Sequence, residues 1–415
     1  MKNKINQIIG NGNNIKNYFL PFLLLLTFLL RLVFVFFVRD TGFDNEWDIL
    51  LNNLIIHKSY SFYTFNGQLI PSVLLPPMYP FFLYSIKMIT SLDQDNLLYS
   101  VIIIQIIFST YSVYLFYQIN KNFFSNDVSF FNTFIFSIIP LNVYACGQIS
   151  SINLQIILTL LFLKFLIIIT KNNNLRNIII FSIVSGILIL TRGEFILILT
   201  LIILFIFLNK KINLNNLVII GFIALLIISP YLVRNYKHFN QVIIVKSLGY
   251  NLWKGNNKLS KVEGYENFKK AEFSDLKLKI SNIDKDKYYE IQRDKVFLEE
   301  ALKNLNKDLL YYTKLYFKKF FSFFFIDMNS SYPNYYNFFH IVPMILISIL
   351  SLPGIFIFYK KSKFENKCIG MYFFINLIIF SFFFILPRYK LIVLPIQVIF
   401  ASNFILYLLK RINKR

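Results

Sequence analysis

Leu20 to Val38 is an apolar run of membrane length, and Arg39-Asp40-Thr41-Gly42-Phe43-Asp44-Asn45-Glu46-Trp47-Asp48 follows it at once. A hydrocarbon core about 30 Å thick needs roughly 20 apolar helical residues, so the run predicts a membrane helix. Asp40, Asp44, Glu46 and Asp48 then stand together at one membrane face. In a chain as basic and apolar as this one, such a cluster is not ordinary solvated charge. It marks the region where chemistry is to be sought.

The 415 residues are 56% hydrophobic and 19% aromatic, above the roughly 45–50% apolar usage of soluble domains. The predicted class is an all-α polytopic membrane protein. Further apolar runs lie at 97–118, 128–145, 150–170, 177–191, 193–208, 216–233, 338–358, 368–386 and 391–409. Thr191-Arg192-Gly193-Glu194 joins two short runs as a tight, charged hairpin. Met78 to Thr90 is short for a span and follows Pro76-Pro77, so a re-entrant or interfacial helix is expected. Residues 1–17 are polar, and no small-residue cleavage site follows the first run, which is therefore read as a retained helix. Cys146 and Cys368 lie in or beside apolar runs, which argues against a disulfide framework or a cysteine metal site.

The net charge of +22, from 43 basic and 21 acidic residues, does not point to nucleic acid, because the basic residues are dispersed in short loops that orient membrane helices. Lys2, Lys4 and Lys16, then Lys121, Lys171 with Arg176, Lys210 with Lys211, Lys360 to Lys367, and Lys410 to Arg415 all fall on the cytoplasmic side if 78–90 does not cross. The expected fold is a bundle of about ten to eleven transmembrane helices in the cytoplasmic (inner) membrane, with both termini cytoplasmic. Three parts are expected: a membrane catalytic module over 1–233 with a first outer loop at 39–96, an extracytoplasmic segment at 234–337, and C-terminal helices at 338–415. Ile291, Leu298, Leu302, Leu305, Leu309, Tyr312 and Tyr316 give the extracytoplasmic segment helical periodicity. Tyr311 to Phe325 mixes lysines and apolar residues as an interfacial helix does.

Within the first loop, Trp47, Leu50, Leu51, Leu54 and Ile55 form one face of an amphipathic helix. Asp44 stands at or before its N-terminus, where the helix dipole favours a carboxylate. It serves either as a cap or as a reacting group, and the excess of acids over capping needs favours a function for at least one of them. Arg192, Arg234, Arg388 and Lys390 lie at the outer ends of helices, against the usual charge bias, and suit a phosphate or snorkel to headgroups. Trp253, Asn251, Asn256 and Asn257 offer an aromatic face and amides to a substrate, or form a polar turn. Gln148, Ser150, Ser151 and Asn153 occupy the second outer loop, which carries no acid. The acidic cluster could supply some oxygen ligands to a divalent ion, whereas His57, His238 and His340 form no ligand spacing.

The order of these segments resembles the GT-C glycosyltransferases, in the bacterial branch related to dolichyl-phosphate-mannose-protein mannosyltransferases and lipid A aminoarabinose transferases. The resemblance rests on the first-loop acids, Pro76-Pro77-Met78-Tyr79-Pro80, and Gly186-Ile187-Leu188-Ile189-Leu190-Thr191-Arg192-Gly193-Glu194. It is extended by Tyr231 to Phe239, Gly249-Tyr250-Asn251-Leu252-Trp253-Lys254-Gly255-Asn256-Asn257, and Pro387-Arg388-Tyr389-Lys390-Leu391-Ile392-Val393-Leu394-Pro395. Gly193 stands where proline is commoner, and Asn45 separates the usual Asp-Glu pair. The resemblance implies an inverting transferase that moves a sugar from a polyprenyl-phosphate donor to an extracytoplasmic acceptor. Asp44 or Glu46 is then the general base. Arg234, Arg388, Lys390 and Arg192 would hold the donor phosphate, and Tyr79, Asn251, Trp253, Asn256 and Asn257 the substrate. It further implies no cofactor and no metal, with the sugar donor, the acceptor and membrane lipids as partners. The alternatives are a flippase or exporter of lipid-linked glycans and a membrane glycan polymerase. The clustering of charge at helix ends and the lack of an inverted repeat weigh against a transporter.

Overall fold

Apolar segments in lipid can satisfy their backbone groups only within helices or closed barrels, and the computed structural model of this chain is helical almost throughout. It describes residues 19–38, 42–43, 46–91, 93–267, 270–328, 337–360 and 363–413. Asp40, Asp44, Asn45, Lys2, Lys4, Lys16, Lys361, Lys414 and Arg415 lie outside them.

All ten expected runs are helical, and among the described residues six helices are long and apolar enough to cross a membrane: Phe19–Val38, Asn96–Asn120, Ile152–Lys171, Leu214–Phe239, Phe338–Lys360 and Leu394–Ile412. Leu175–Thr191 and Phe195–Leu208 are apolar but shorter. The chain is a multi-pass, all-α membrane protein. Ile152–Lys171 is the central helix, with 78% of its most apolar window buried, as its all-round hydrophobicity requires. Phe19–Val38 instead leaves many apolar side chains open, including Phe37.

The run at 128–145 is divided into Asn126–Ile138 and Pro140–Ala145. Ile139 precedes the proline and takes a non-helical conformation, with φ −58° and ψ 117°, because proline disfavours the α region in its predecessor. The open end of the first piece is met by Arg31, which is fully buried within the bundle. Its Nη1 donates to Ser137 O at 3.0 Å and to Thr27 O at 3.3 Å, and its Nε donates to Ser109 Oγ at 2.8 Å.

Met78–Thr90 is a helix of 13 residues, about 20 Å long and thus shorter than the hydrocarbon core. Before it lies a hairpin absent from the sequence expectation. Ser61–Phe65 pairs antiparallel with Gln68–Pro71, with Phe65 opposite Gln68. Asn66 and Gly67 both have positive φ, 49° and 78°, the geometry that Asn-Gly hairpin turns adopt.

The polar segment contains Leu248–Gly255, Ser274–Ser281, Tyr289–Lys307 and Leu309–Phe324. Trp253, Phe273, Leu276, Ile280, Phe297 and Ala301 form its core. The expected stripe is rotated from the buried one. Glu290, Asp294, Phe297, Ala301 and Asn304 face inward, whereas Leu302 is 47% and Leu309 71% exposed. The reason is polar: Glu290 and Asp294 go inside because backbone donors of neighbouring segments meet them there. The helix expected over Tyr311 to Phe325 is present as Leu309–Phe324, with Lys314, Phe317, Lys318 and Phe321 exposed.

Candidate active site

The helix Glu46–His57 buries Trp47, Leu50, Leu51 and Leu54, the face its sequence predicts, and leaves Glu46 exposed in its first turn. Asp48 accepts from Asn52 Nδ2 at 3.0 Å. Of the two expected bases, Glu46 is thus on the open end of a fixed helix, while Asp44 lies outside the described residues. Trp47 meets Tyr79 edge-on at 5.1 Å between ring centres. The Tyr79 hydroxyl donates to Gln105 Oε1 at 3.0 Å, and Gln105 Nε2 donates to Cys146 O and Gln148 O at 3.2 and 3.0 Å. This chain of contacts ties the acidic helix to the Cys146–Ser151 turn. Tyr79 itself is buried, so it braces the site and offers little surface to a substrate.

On the opposite flank the hairpin is held by the polar segment. Arg234 Nη1 donates to Ser72 O at 2.7 Å and to Asn235 Oδ1 at 2.7 Å, and its Nη2 donates to Tyr60 O at 2.8 Å. Glu290 Oε2 accepts from Val73 N at 2.6 Å and Ser72 Oγ at 3.0 Å. Burial pushes the Glu290 carboxyl up from its ordinary range, against these hydrogen bonds and the nearby Arg234 charge. The guanidinium of Arg234 is therefore engaged with loop backbone.

Arg192 and Arg388 are brought together around one ring. Arg192 pairs with Glu194 at 2.5 Å and lies over Tyr389 at 4.9 Å and Phe380 at 5.3 Å. Arg388 lies over the same Tyr389 at 5.9 Å. Lys254 pairs with Glu266 and lies over Phe384 at 4.7 Å, and the charge of Arg388 acts on both Arg192 and Glu266. The result is three cations and two carboxylates on an aromatic bed, a set in which the arginines present planar donors suited to phosphate oxygens. Lys254 and Glu266 were not among the sequence candidates, since nothing in their spacing marks them.

Lys390 is elsewhere. It is buried, and its Nζ donates to Phe324 O at 2.8 Å, to Ser348 Oγ at 2.7 Å and to Phe325 O. It caps the carbonyl end of Leu309–Phe324 together with Gln397 Nε2, 2.9 Å from Phe324 O, as orphan carbonyls require.

The segment Gly249 to Asn257 is a fastening. A Cβ on Gly249 would sit 2.0 Å from Asp294 O, and one on Gly255 2.1 Å from Phe383 O, so only glycine allows these approaches. Trp253 is 0% exposed, against Phe297 and Phe273 at 4.8 and 5.3 Å. Asn256 Nδ2 donates to Leu252 O and Phe382 O, both at 2.8 Å, and its Oδ1 accepts from Lys319 Nζ at 3.0 Å. Asn257 Nδ2 donates to Tyr265 O at 2.7 Å. The expected substrate face of Trp253, Asn256 and Asn257 is thus turned inward, because aromatic and amide groups that organise a turn bury as readily as those that meet a ligand. Asn251 remains half-buried. Among the described residues no group of three His, Cys, Asp or Glu side chains is placed to hold a metal ion.

Residues 75–233 match the model of the family described as dolichyl-phosphate-mannose-protein mannosyltransferase. No curated protein matches the chain in sequence. Among solved structures, the fold is similar to that of the oligosaccharyltransferase of Archaeoglobus fulgidus tethered by a disulfide to an acceptor peptide containing the NVT sequon. The two share 13% identity over 95% of this chain and 50% of the other, with a TM-score of 0.56. A second structure, oligosaccharyltransferase AglB of the same organism with an inhibitory peptide and a dolichol-phosphate, shows 12% identity over 95% and 51% of the two chains, with a TM-score of 0.55. The chain spans about half the length of these structures, and at such identity the likeness is one of fold. The family match covers residues 75–233, less than half of the chain, and what the solved structures share with the chain is the helical fold.

Proposed function

We propose that the chain moves a sugar from a polyprenyl-phosphate donor to an acceptor on the extracytoplasmic face of the cytoplasmic membrane, with inversion at the anomeric carbon and with both termini cytoplasmic. Asp44 or Glu46 takes the proton of the acceptor hydroxyl or amine as the new bond to the anomeric carbon forms. The bond from that carbon to the phosphate oxygen breaks, and its electron pair leaves with the lipid phosphate. Arg388 and Arg192 hold that phosphate and its developing charge. Arg234 and Lys390 support the loop and helix ends that frame it, and Asn251 lies toward the substrate. The step as written uses no metal or cofactor.

The observation that carries this reading is the sharing of the Tyr389 ring by Arg192 and Arg388. It gathers two cations at helix ends, where a lipid phosphate in the membrane surface would need them. The dolichol-phosphate and peptide bound to AglB fit the same pairing of lipid-linked donor and acceptor. The acceptor here is a lipid, a polysaccharide or a protein.

The test replaces Asp44 by Asn and Glu46 by Gln, separately, and measures transfer from polyprenyl-phosphate sugars in membranes. Loss of a general base lowers the rate by about 10²–10⁴-fold. Full activity in both variants removes the first loop from the mechanism.

A further inference from the structure

The acidic helix and the polar segment are joined through one short stretch of chain. Glu290 is 2% exposed and sits in the first turn of Tyr289–Lys307. Its Oε2 takes both Val73 N–H and the Ser72 hydroxyl. Arg234 holds the carbonyls of Ser72 and Tyr60 from the other side, and Lys246 N donates to Val73 O at 2.7 Å. Ser72 N donates to Tyr60 O at 2.9 Å, closing the base of the hairpin. From the hairpin the connection continues: Asn53 Nδ2 donates to Ser61 O at 2.8 Å. Asn53 belongs to the helix that begins at Glu46, about 10 Å further along its axis.

We infer that Glu290 is a positioning residue for Glu46, acting through Ser72, Val73 and the hairpin on the helix that begins at Glu46. This rests on the reading of the first loop as the seat of the base. Three features favour positioning over general stability. The bonds run to the Val73 amide and the Ser72 hydroxyl, at the base of the hairpin. Glu290 is 2% exposed and is met by polar groups of the loop, so a carboxylate is kept where an apolar residue would pack at less desolvation cost. The contacts also converge on one turn of chain, where a small displacement propagates along a rigid hairpin.

The groups facing Glu290 set how it titrates. Arg234 and Tyr231 come from Leu214–Phe239, and Tyr60 and Tyr63 from the first loop and its hairpin. Protonation turns one acceptor oxygen into a hydroxyl donor and weakens the hold on Val73 N–H.

Amide hydrogen exchange of the purified full-length protein in nanodiscs tests the inference, comparing wild type with E290A and E290Q in the absence of substrate. In E290A the peptides spanning 60–74 exchange about 10–100-fold faster, the worth of hydrogen bonds to a charged acceptor, while peptides within 295–305 keep their protection. E290Q retains one acceptor oxygen and falls between the two. In wild type the protection of 60–74, corrected for intrinsic rates, weakens as the carboxylate is protonated, and in E290Q that pH response is gone. In transfer assays E290A lowers kcat while KM for the polyprenyl-phosphate sugar stays within about threefold, the signature of a misplaced reacting group. Unchanged exchange at 60–74 in E290A overturns the inference. A wild-type protein with no transfer activity counts against the proposed reaction, and the exchange measurement still decides whether Glu290 holds the loop.

Discussion

Arg31 Nε donates to Ser109 Oγ at 2.8 Å inside the helical bundle, and the same guanidinium covers the carbonyl of Ser137. A charge within a membrane helix is costly, and here it is offset by the open end of a helix that Pro140 interrupts. The helix end carries partial negative charge, which a cation complements.

Replacing Arg31 by Leu leaves the Ser137 carbonyl and the Ser109 hydroxyl short of a donor. The expected loss is about 2–4 kcal/mol, read as a lower thermal midpoint in detergent. Arg31→Lys recovers only part of it, since one ammonium cannot reproduce the planar fork. Equal midpoints for wild type and Arg31→Leu would show that the helix break needs no such support.

Lys319 gives a pH signature. Its Nζ donates to Gly255 O at 2.7 Å and to Asn256 Oδ1, and burial pushes it down from 10.5 to about 7. Between these values the unfolded chain binds the proton that the folded chain has released, so stability rises with pH across that window. Below about pH 7 both states are protonated, and the burial of the charge weighs fully against folding. Relative to Lys319→Met, wild type therefore gains about 1.4 kcal/mol per pH unit above neutrality. Denaturation midpoints of the two proteins at pH 6, 7.5 and 9 check this, and a constant gap contradicts it.

Arg388 is expected to act on the donor. In Arg388→Ala, kcat/KM for the polyprenyl-phosphate sugar falls by about 10–100-fold, the range for a lost charge-assisted hydrogen bond. Arg388→Lys keeps a point charge without the fork and lies between. Initial rates over a range of donor concentrations measure it, and a wild-type value in Arg388→Ala takes the phosphate away from this residue.

Membrane-length runs are legible because lipid leaves the backbone no alternative to a helix. Trp47, Leu50, Leu51 and Leu54 are legible as one face because period and burial agree. The Asn66-Gly67 turn also has a local signal, an Asn-Gly pair between two short runs rich in aromatic and apolar residues. Glu290 and Asp294 were not legible: they look like solvated charges, and only the distant backbone donors of Val73 and Tyr250 explain their burial. Arg31 carried a signal in being charged within an apolar run, but its partners at Ser109 and Ser137 lie on other helices. Lys390 and Trp253 show the converse. A basic residue at a helix end and a tryptophan among amides suit a ligand and suit a cap or a core equally, and distant contacts decide between them.

The approach of Gly255 to Phe383, together with the bond from Asn256 to Phe382 O, has a temporal side. Domains fold largely as the chain is synthesised, N-terminal parts first. Asn256 leaves the ribosome 126 residues before Phe382. These contacts therefore wait for the helix Phe364–Phe382 to be made, and the late part of the chain acts as the keystone of a turn translated well before it.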